Sequence, residues 1–354
     1  MPPNLCSADS LKDSWIKCVV WDLDDTMWQG TLLEDNDVVL MPRIKAIIQQ
    51  VDARGILQSI ASRNNHELAW ERLTEFHLAE YFLHPQINWG NKSDSVRIIA
   101  NKLGISLDTV AFVDDQDFER DEVRFYLPEV LTIDAAHTDK LLNLPRMNPR
   151  FITNESSIRR KMYQADIQRH RAESDFTGNK QEFLKTLNLY VTIRVAGESD
   201  LRRVEELTIR TNQFNTTGLT YGYELLADLS KSSDHLLLVA DMEDRYGASG
   251  TIGLALIARE SMVWVVKLLI TSCRVLSRGI GGVMIGYILR LAKQQHVRLR
   301  AQFVSNDRNR MAYVTYRFHG FYEVAERGNL IMLEHNLTNI RPYPSHITVR
   351  SSLP

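Results

Sequence analysis

The stretch Lys17-Cys18-Val19-Val20-Trp21-Asp22-Leu23-Asp24-Asp25-Thr26 constrains this chain most, because an apolar run gives way within four positions to three carboxylates. Four apolar residues with two adjacent valines, bounded by a charge, read as a fully buried strand. No core accepts unpaired carboxylates, so Asp22, Asp24 and Asp25 belong at the strand's carboxyl edge. In an open parallel α/β sheet that edge is where ligands bind. Acids so close together repel one another unless a cation offsets them, and a hard divalent ion such as Mg²⁺ is held by carboxylate oxygens and brings substrate phosphates with it.

Three further positions repeat this logic downstream. Ile56 to Ala61 reads as a second buried strand, delivering Ser62 at its end, with Asn64 and Asn65 able to cap a helix that begins near His66. Lys92 opens a helix to Leu103, with Val96, Ile99, Ala100 and Leu103 periodic; a lysine there opposes the helix dipole and needs a partner anion. Val110 to Val113 reads as a third parallel strand, ending in Asp114-Asp115. Between the first two strands, Trp28 to Leu33 reads as a small hairpin flap turning at Gly30, followed by a helix from Pro42 that ends at Gly55.

At 354 residues the chain is long enough for two domains, and 44% hydrophobic with 24% charged residues is ordinary globular composition. A net charge of −2 advertises neither nucleic acid nor an anionic membrane as partner, and the longest apolar runs are strand-sized. A cytosolic, cytoplasmic protein is expected. Three cysteines, Cys6, Cys18 and Cys273, are too few and too scattered for a disulfide framework or a zinc site. The expected organisation is a lead-in over 1–15, an α/β domain over 16–145, a linker with a charged helix over 146–187, an α+β domain over 188–338 and a C-terminal tail over 339–354.

In the second domain, Tyr190 to Val195 reads as a strand, and Ser199 with Asp200 caps a helix reaching about Asn212. Leu236 to Ala240, Thr251 to Ala258 and Met262 to Ile270 follow with the spacing of an antiparallel meander. Arg278-Gly279-Ile280-Gly281-Gly282 then opens a long helix, and bare N–H groups at such a start suit a phosphate.

The order Asp22-x-Asp24-x-Thr26, Ser62, Lys92, Asp114-Asp115 resembles the four motifs of haloacid-dehalogenase (HAD) superfamily phosphatases. That resemblance implies a Rossmann-like parallel sheet, Asp22 as nucleophile, Asp24 as general acid/base, Thr26, Ser62 and Lys92 as phosphate-binding groups, and Asp22, Asp24, Asp114 and Asp115 around Mg²⁺. The gaps on either side of Ser62 are too short for a cap domain, so an open site is expected. The Gly loop, with Asn309-x-x-Ala312-x-x-x-Tyr316-x-x-x-Gly320-Phe321, resembles the acetyl-coenzyme-A-binding half of GNAT acyltransferases.

Together with Arg210-Thr211-Asn212-Gln213-Phe214-Asn215 and Ser272-Cys273-Arg274-Val275-Leu276, these pieces resemble the FkbH-like proteins of polyketide biosynthesis over roughly residues 16–334. The resemblance implies a reaction in which 1,3-bisphosphoglycerate is dephosphorylated and its glyceryl unit is loaded on a cysteine, then passed to the phosphopantetheine thiol of an acyl carrier protein. Gln213, Asn215, Arg274, Arg278, Gly279, Gly281, Asn309 and Tyr316 would bind the acyl and phosphopantetheine groups. Asp25, Gln116-Asp117 and Ser277 depart from the family's usual residues, and the extra carboxylates bear on metal affinity. An acyl phosphate becomes a thioester only if a thiol attacks its carbonyl carbon. Cys273, beside Arg274, Arg278 and the Gly loop, has surroundings that favour a thiolate, whereas Cys18 lies inside the first strand; spacing alone fits a core-filling cysteine at Cys273 equally well, and it is the resemblance that implies the nucleophile. His319 is a lesser candidate for assisting thiol exchange. Two other readings remain: a Mg²⁺-dependent phosphatase whose second domain only binds a partner, and a non-catalytic docking scaffold for a carrier protein.

Overall fold

A computed structural model describes residues 15–35 and 37–351. The chain divides between Gln164 and Ala165 into two compact units, each with its own hydrophobic core. Cys6 and the lead-in before residue 15 lie outside the described residues.

The N-terminal unit runs β1 (Cys18–Trp21), β2 (Trp28–Gln29), β3 (Val39–Leu40), α1 (Ile44–Ala53), β4 (Leu57–Ser62), α2 (His66–Glu75), β5 (Gln86–Ile87), α3 (Lys92–Leu103), β6 (Val110–Asp114), α4 (Asp117–Tyr126) and β7 (Leu131–Asp134). Its sheet has the order β5-β4-β1-β6-β7, and every pairing is parallel. All four residues of β1 are buried, as a strand covered by helices on both faces requires. Trp21 is wholly buried, and its indole N–H is satisfied by Gln58 Oε1 at 3.2 Å, whose amide in turn donates to the Ile48 carbonyl at 2.9 Å. Trp21 pairs with Ile60 on one side and Val113 on the other, so the ends of β1, β4 and β6 deliver Asp22, Ser62 and Asp114 to one edge.

The flap is larger than its sequence suggests. Its arms are β2 and β3, antiparallel, so Gly30 lies in the connecting segment rather than at a tight turn. Between β1 and β4 the described chain holds this flap and α1, and between β4 and α3 it holds α2, a short 3₁₀ turn and β5. Among the described residues, neither gap holds an inserted domain.

Three helices, α5 (Asn154–Ser157), α6 (Arg159–Ser174) and α7 (Lys180–Thr186), follow, and the division between units falls within α6. The C-terminal unit comprises β8 (Leu189–Val195), α8 (Leu201–Arg210), α9 (Tyr223–Lys231), β9 (His235–Asp244), β10 (Gly247–Glu260), β11 (Val263–Thr271), α10 (Ile280–Gln294), β12 (Arg298–Val304), α11 (Arg310–Phe318), β13 (Tyr322–Arg327), β14 (Leu330–His335) and β15 (Ile347–Ser351). The sheet order is β13-β14-β12-β11-β10-β9-β8-β15. Strands β9 to β11 form the expected antiparallel meander, β8 pairs antiparallel with β9, and α10 buries Val283, Met284, Tyr287 and Ile288. The tail expected over 339–354 is in part sheet: the alternating segment Ile347–Ser351 pairs in parallel with β8 as an edge strand. The α/β class, with a parallel sheet followed by an α+β unit, is the one expected.

Candidate active site

At the carboxyl edge of the parallel sheet, Lys92 reaches from the first residue of α3 to the neighbouring ends of β4, β1 and β6. Its ammonium donates to Asp22 Oδ1, to Asp114 Oδ2 at 2.9 Å and to the Ala61 carbonyl at 3.0 Å. Lys92 is 3% exposed, Asp22 5% and Asp114 0%, so the anion that a lysine at a helix start demands is a pair of buried carboxylates. Burial works against the ammonium, but the charges of Asp22 and Asp114 outweigh it and hold its pKa above the ordinary lysine value. Burial first, and Asp22 second, push Asp114 up to about 7 against the pull of Lys92.

Asp22, Asp114 and Asp115 each turn an oxygen into one cluster in which these atoms lie within 4.8 Å of one another. Burial, then the Asp22 charge, raises the Asp115 pKa as well. Three carboxylates facing one ammonium leave excess negative charge where water is scarce, and an all-oxygen donor set suits Mg²⁺. These three residues therefore fit the expected metal.

The side chain of Asp24 does not join them. Its Oδ1 accepts from Trp28 Nε1 at 2.7 Å and Leu32 N at 3.2 Å, and its Oδ2 accepts from Asn64 Nδ2 at 2.9 Å. Burial raises its pKa despite the opposing pull of the Trp28 and Leu32 hydrogen bonds. A carboxyl fixed by three donors and biased toward its protonated form is suited to moving a proton. The two extra carboxylates are also spent elsewhere, Asp25 on the backbone N–H of Gly30 at 2.9 Å and Asp117 on Arg120. Thr26 donates to Asp115 Oδ1 at 3.4 Å, and Ser62 is buried at the end of β4.

Sequence reasoning missed the groups that hold Asp24. Trp28 reads as an apolar flap residue and Asn64 as a helix cap. Asn65 alone caps α2, accepting from Leu68 N at 3.1 Å, which leaves Asn64 free for Asp24. Also missed is the buried Glu119, ion-paired to Arg63 at 2.9 Å. A carboxylate in the first turn of a helix looks like ordinary dipole compensation, and no local signal distinguishes it.

In the C-terminal unit the expected residues fall into two groups. Cys273, Arg274 and Arg278 lie in a 3₁₀ turn over Cys273–Arg278. Cys273 is free and partly exposed, while Cys18 is free and wholly buried, and burial pushes the Cys18 thiol far up. Arg278 donates to Asp166 Oδ1 at 2.6 Å and lies 3.9 Å from Asp244, and Arg274 is 3.7 Å from Asp166. Both guanidinium charges are thereby offset inside the unit. The helix start is likewise packed: Gly279 adopts the left-handed conformation at φ 77°, and a Cβ on Gly281 would run into the Phe214 ring.

The second group closes a gap in the sheet. β11 and β12 pair only from Val263–Val266 to Arg298–Ala301, and beyond this the segment 214–217 lies between them. Thr271 N donates to Phe214 O at 3.1 Å, Thr216 N to Leu269 O at 3.1 Å, and Val304 N to Thr216 O at 2.9 Å. Asn309 clamps the insertion, donating to Asn215 O at 3.1 Å and Val304 O at 2.8 Å. Asn215 and Asn309 are buried, Gln213 is exposed, and Tyr316 is 1% exposed behind them. A cavity of about 410 Å³ beside this insertion is lined by Phe214, Gly279, Gly282, Met311, His319 and Tyr343.

No family model and no curated protein matches the sequence. Among solved structures, the N-terminal part of a Bacteroides fragilis protein, containing a phosphatase domain complexed with Mg, is 29% identical over 39% of this chain, with a TM-score of 0.32. The chain covers 41% of that structure's length. The PaiA N-acetyltransferase of Thermoplasma acidophilum in complex with coenzyme A is 17% identical over 41% of this chain and 98% of its own, at a TM-score of 0.35. A GNAT-family acetyltransferase of Streptococcus pneumoniae is 18% identical over 41% of this chain and 97% of its own, at 0.31. Likenesses of this size identify no activity.

Proposed function

We propose that the N-terminal unit is a Mg²⁺-dependent phosphohydrolase and that the whole chain dephosphorylates a three-carbon acyl phosphate and transfers its acyl unit to the thiol of an acyl carrier protein. The observation that carries the first half is the buried Asp22–Lys92–Asp114 network at the carboxyl edge of a parallel sheet, with Asp115 completing a cluster of oxygens. Asp22, Asp114 and Asp115 would hold the metal, which when bound supplies positive charge against the phosphoryl oxygens. Asp22, whose Oδ1 is fixed by Lys92, attacks the phosphorus of the distal phosphomonoester through its other oxygen, leaving the acyl phosphate intact for the thiol. The phosphorus–oxygen bond to the leaving group breaks, and Asp24 gives that oxygen its proton. A water then loses a proton to Asp24, opens the aspartyl phosphate and regenerates Asp22.

In acyl transfer, the Cys273 sulfur bonds to the carbonyl carbon, the carbon–oxygen bond to phosphate breaks, and the thiol proton leaves with the phosphate. The carrier thiol next displaces Cys273. The partial exposure of Cys273 supports this step, since the thiol is open to a substrate that Cys18 would never meet. One observation favours a second reading. Because Asp166 and Asp244 already offset Arg274 and Arg278, the arginines lend little positive potential to the thiol, as would suit a unit that only binds a partner while the other acts as a phosphatase.

Incubation of the full chain with 1,3-bisphosphoglycerate, Mg²⁺ and a phosphopantetheinylated carrier protein, read by intact mass and phosphate release, separates the two. Gain of one glyceryl on the carrier supports transfer. Phosphate release without that gain supports the second reading, and neither event overturns both.

A further inference from the structure

We propose that Arg63 is a specificity-determining residue, binding a second anionic group of the phosphorylated substrate, so that the site selects phosphomonoesters carrying a further carboxylate or phosphate. This rests on the phosphohydrolase reading above and names its substrate class. Arg63 directly follows Ser62 at the carboxyl edge and precedes Asn64, which holds Asp24. Its Nε donates to the Gly90 carbonyl at 3.3 Å and its Nη1 lies 2.9 Å from Glu119 Oε1. These two contacts fasten the guanidinium to the segment leading into α3, which carries Lys92, and to the first turn of α4, which follows the Asp114-Asp115 pair.

Glu119 is only 4% exposed, and its Oε2 has no hydrogen-bond partner among the described residues. It therefore anchors Arg63 through a single oxygen. The arginine side chain stays 37% exposed, and its Nη2 has no protein partner among the described residues. With Nε and Nη1 both committed, Nη2 is the donor left open, and a guanidinium N–H at a partly exposed position suits a carboxylate or phosphate oxygen.

Charge balance gives this free donor a task. Lys92 is buried and committed to Asp22 and Asp114, so it offers nothing to a group outside the phosphoryl pocket. A substrate bearing a second negative charge is repelled by Asp22 and Asp115 unless another positive group faces it. A phosphomonoester with a neutral remainder has no such need. If Arg63 merely tied two loops together, its loss would slow both kinds of substrate alike.

3-Phosphoglycerate and glycerol 3-phosphate share length and phosphate but differ in carrying a carboxylate or a hydroxymethyl group. With the full chain and Mg²⁺, wild type should favour 3-phosphoglycerate in kcat/KM by roughly tenfold or more, the scale of a charge-assisted hydrogen bond. Arg63→Gln should bring the two substrates to within about twofold of each other while leaving glycerol 3-phosphate nearly unchanged, and Arg63→Lys should restore part of the preference. Because Arg63→Gln strands a buried carboxylate, the double variant Arg63→Gln with Glu119→Gln guards against misfolding and should show the same lost preference. Hydrolysis of both substrates without preference in wild type, or a preference that survives Arg63→Gln, overturns the inference alone. Failure of wild type to hydrolyse either overturns the phosphohydrolase reading with it.

Discussion

Lys92 Nζ stands 2.9 Å from Asp114 Oδ2 while also donating to Asp22, so one buried ammonium separates two buried carboxylates from different strands. Removing it leaves both acids unpaired in a place that excludes water. Lys92→Ala should lower the stability of the metal-free protein by about 3 kcal/mol or more, the range for breaking a buried ion pair. Adding Mg²⁺ should recover part of that loss. Thermal unfolding with and without Mg²⁺ checks this, and an unchanged melting temperature would show that the network does not bear on stability.

Trp28 tests the role of Asp24. The indole N–H at 2.7 Å favours the carboxylate form, so its loss should raise the Asp24 pKa further above the ordinary value. Trp28→Phe keeps a ring in the core and should move the alkaline limb of the pH–rate profile for phosphate release, where Asp24 loses its proton, to higher pH. Asn64→Ala should move it the same way. A profile that stays in place in both variants would remove Asp24 from proton transfer.

His319 gives the C-terminal unit an acid sensitivity. Burial first, then the charges of Arg341, His335 and Arg290 facing it, lowers its pKa from 6.5 to about 4. A base whose folded pKa is depressed contributes its full stability above the unfolded pKa, and that contribution falls as pH drops from about 6.5 toward 4. His319→Leu should flatten this part of the stability curve, with a residual slope from His335 and His346, whose pKa values burial also lowers. Calorimetric melting between pH 7 and 4 measures it; a slope equal to that of wild type contradicts the assignment.

The thiols should differ in reach. Brief alkylation of the native protein should label Cys273, which is partly exposed, and spare Cys18, which is wholly buried at the centre of the sheet. Peptide mapping reads the result. Cys273→Ala should also abolish carrier loading while sparing release of phosphate from a simple phosphomonoester.

The strand ends were legible because each switches abruptly from apolar to polar: Trp21 to Asp22, Ala61 to Ser62, Val113 to Asp114. The need of Lys92 for an anion was legible from its place at a helix start, and the structure supplies two. What could not be read depended on distant partners. Nothing local to Arg278 announces Asp166, 112 residues away, so a charge that looked available for a thiol is in fact paired. The segment 214–217 reads as a turn after a helix because its pairing partners, Leu269, Thr271 and Val304, lie far along the chain. Ile347–Ser351 looked like a tail for the same reason, since only β8 makes a strand of it.

The most direct test of the central claim is phosphate release by Asp22→Asn. The amide keeps the shape of the side chain and can still meet Lys92 through its carbonyl oxygen, but it is neither a nucleophile nor an anionic ligand. With circular dichroism unchanged, release of phosphate in the presence of Mg²⁺ should fall by about a thousandfold or more, the scale of losing a nucleophile. Turnover above roughly a tenth of wild type would show that Asp22 does not carry the reaction.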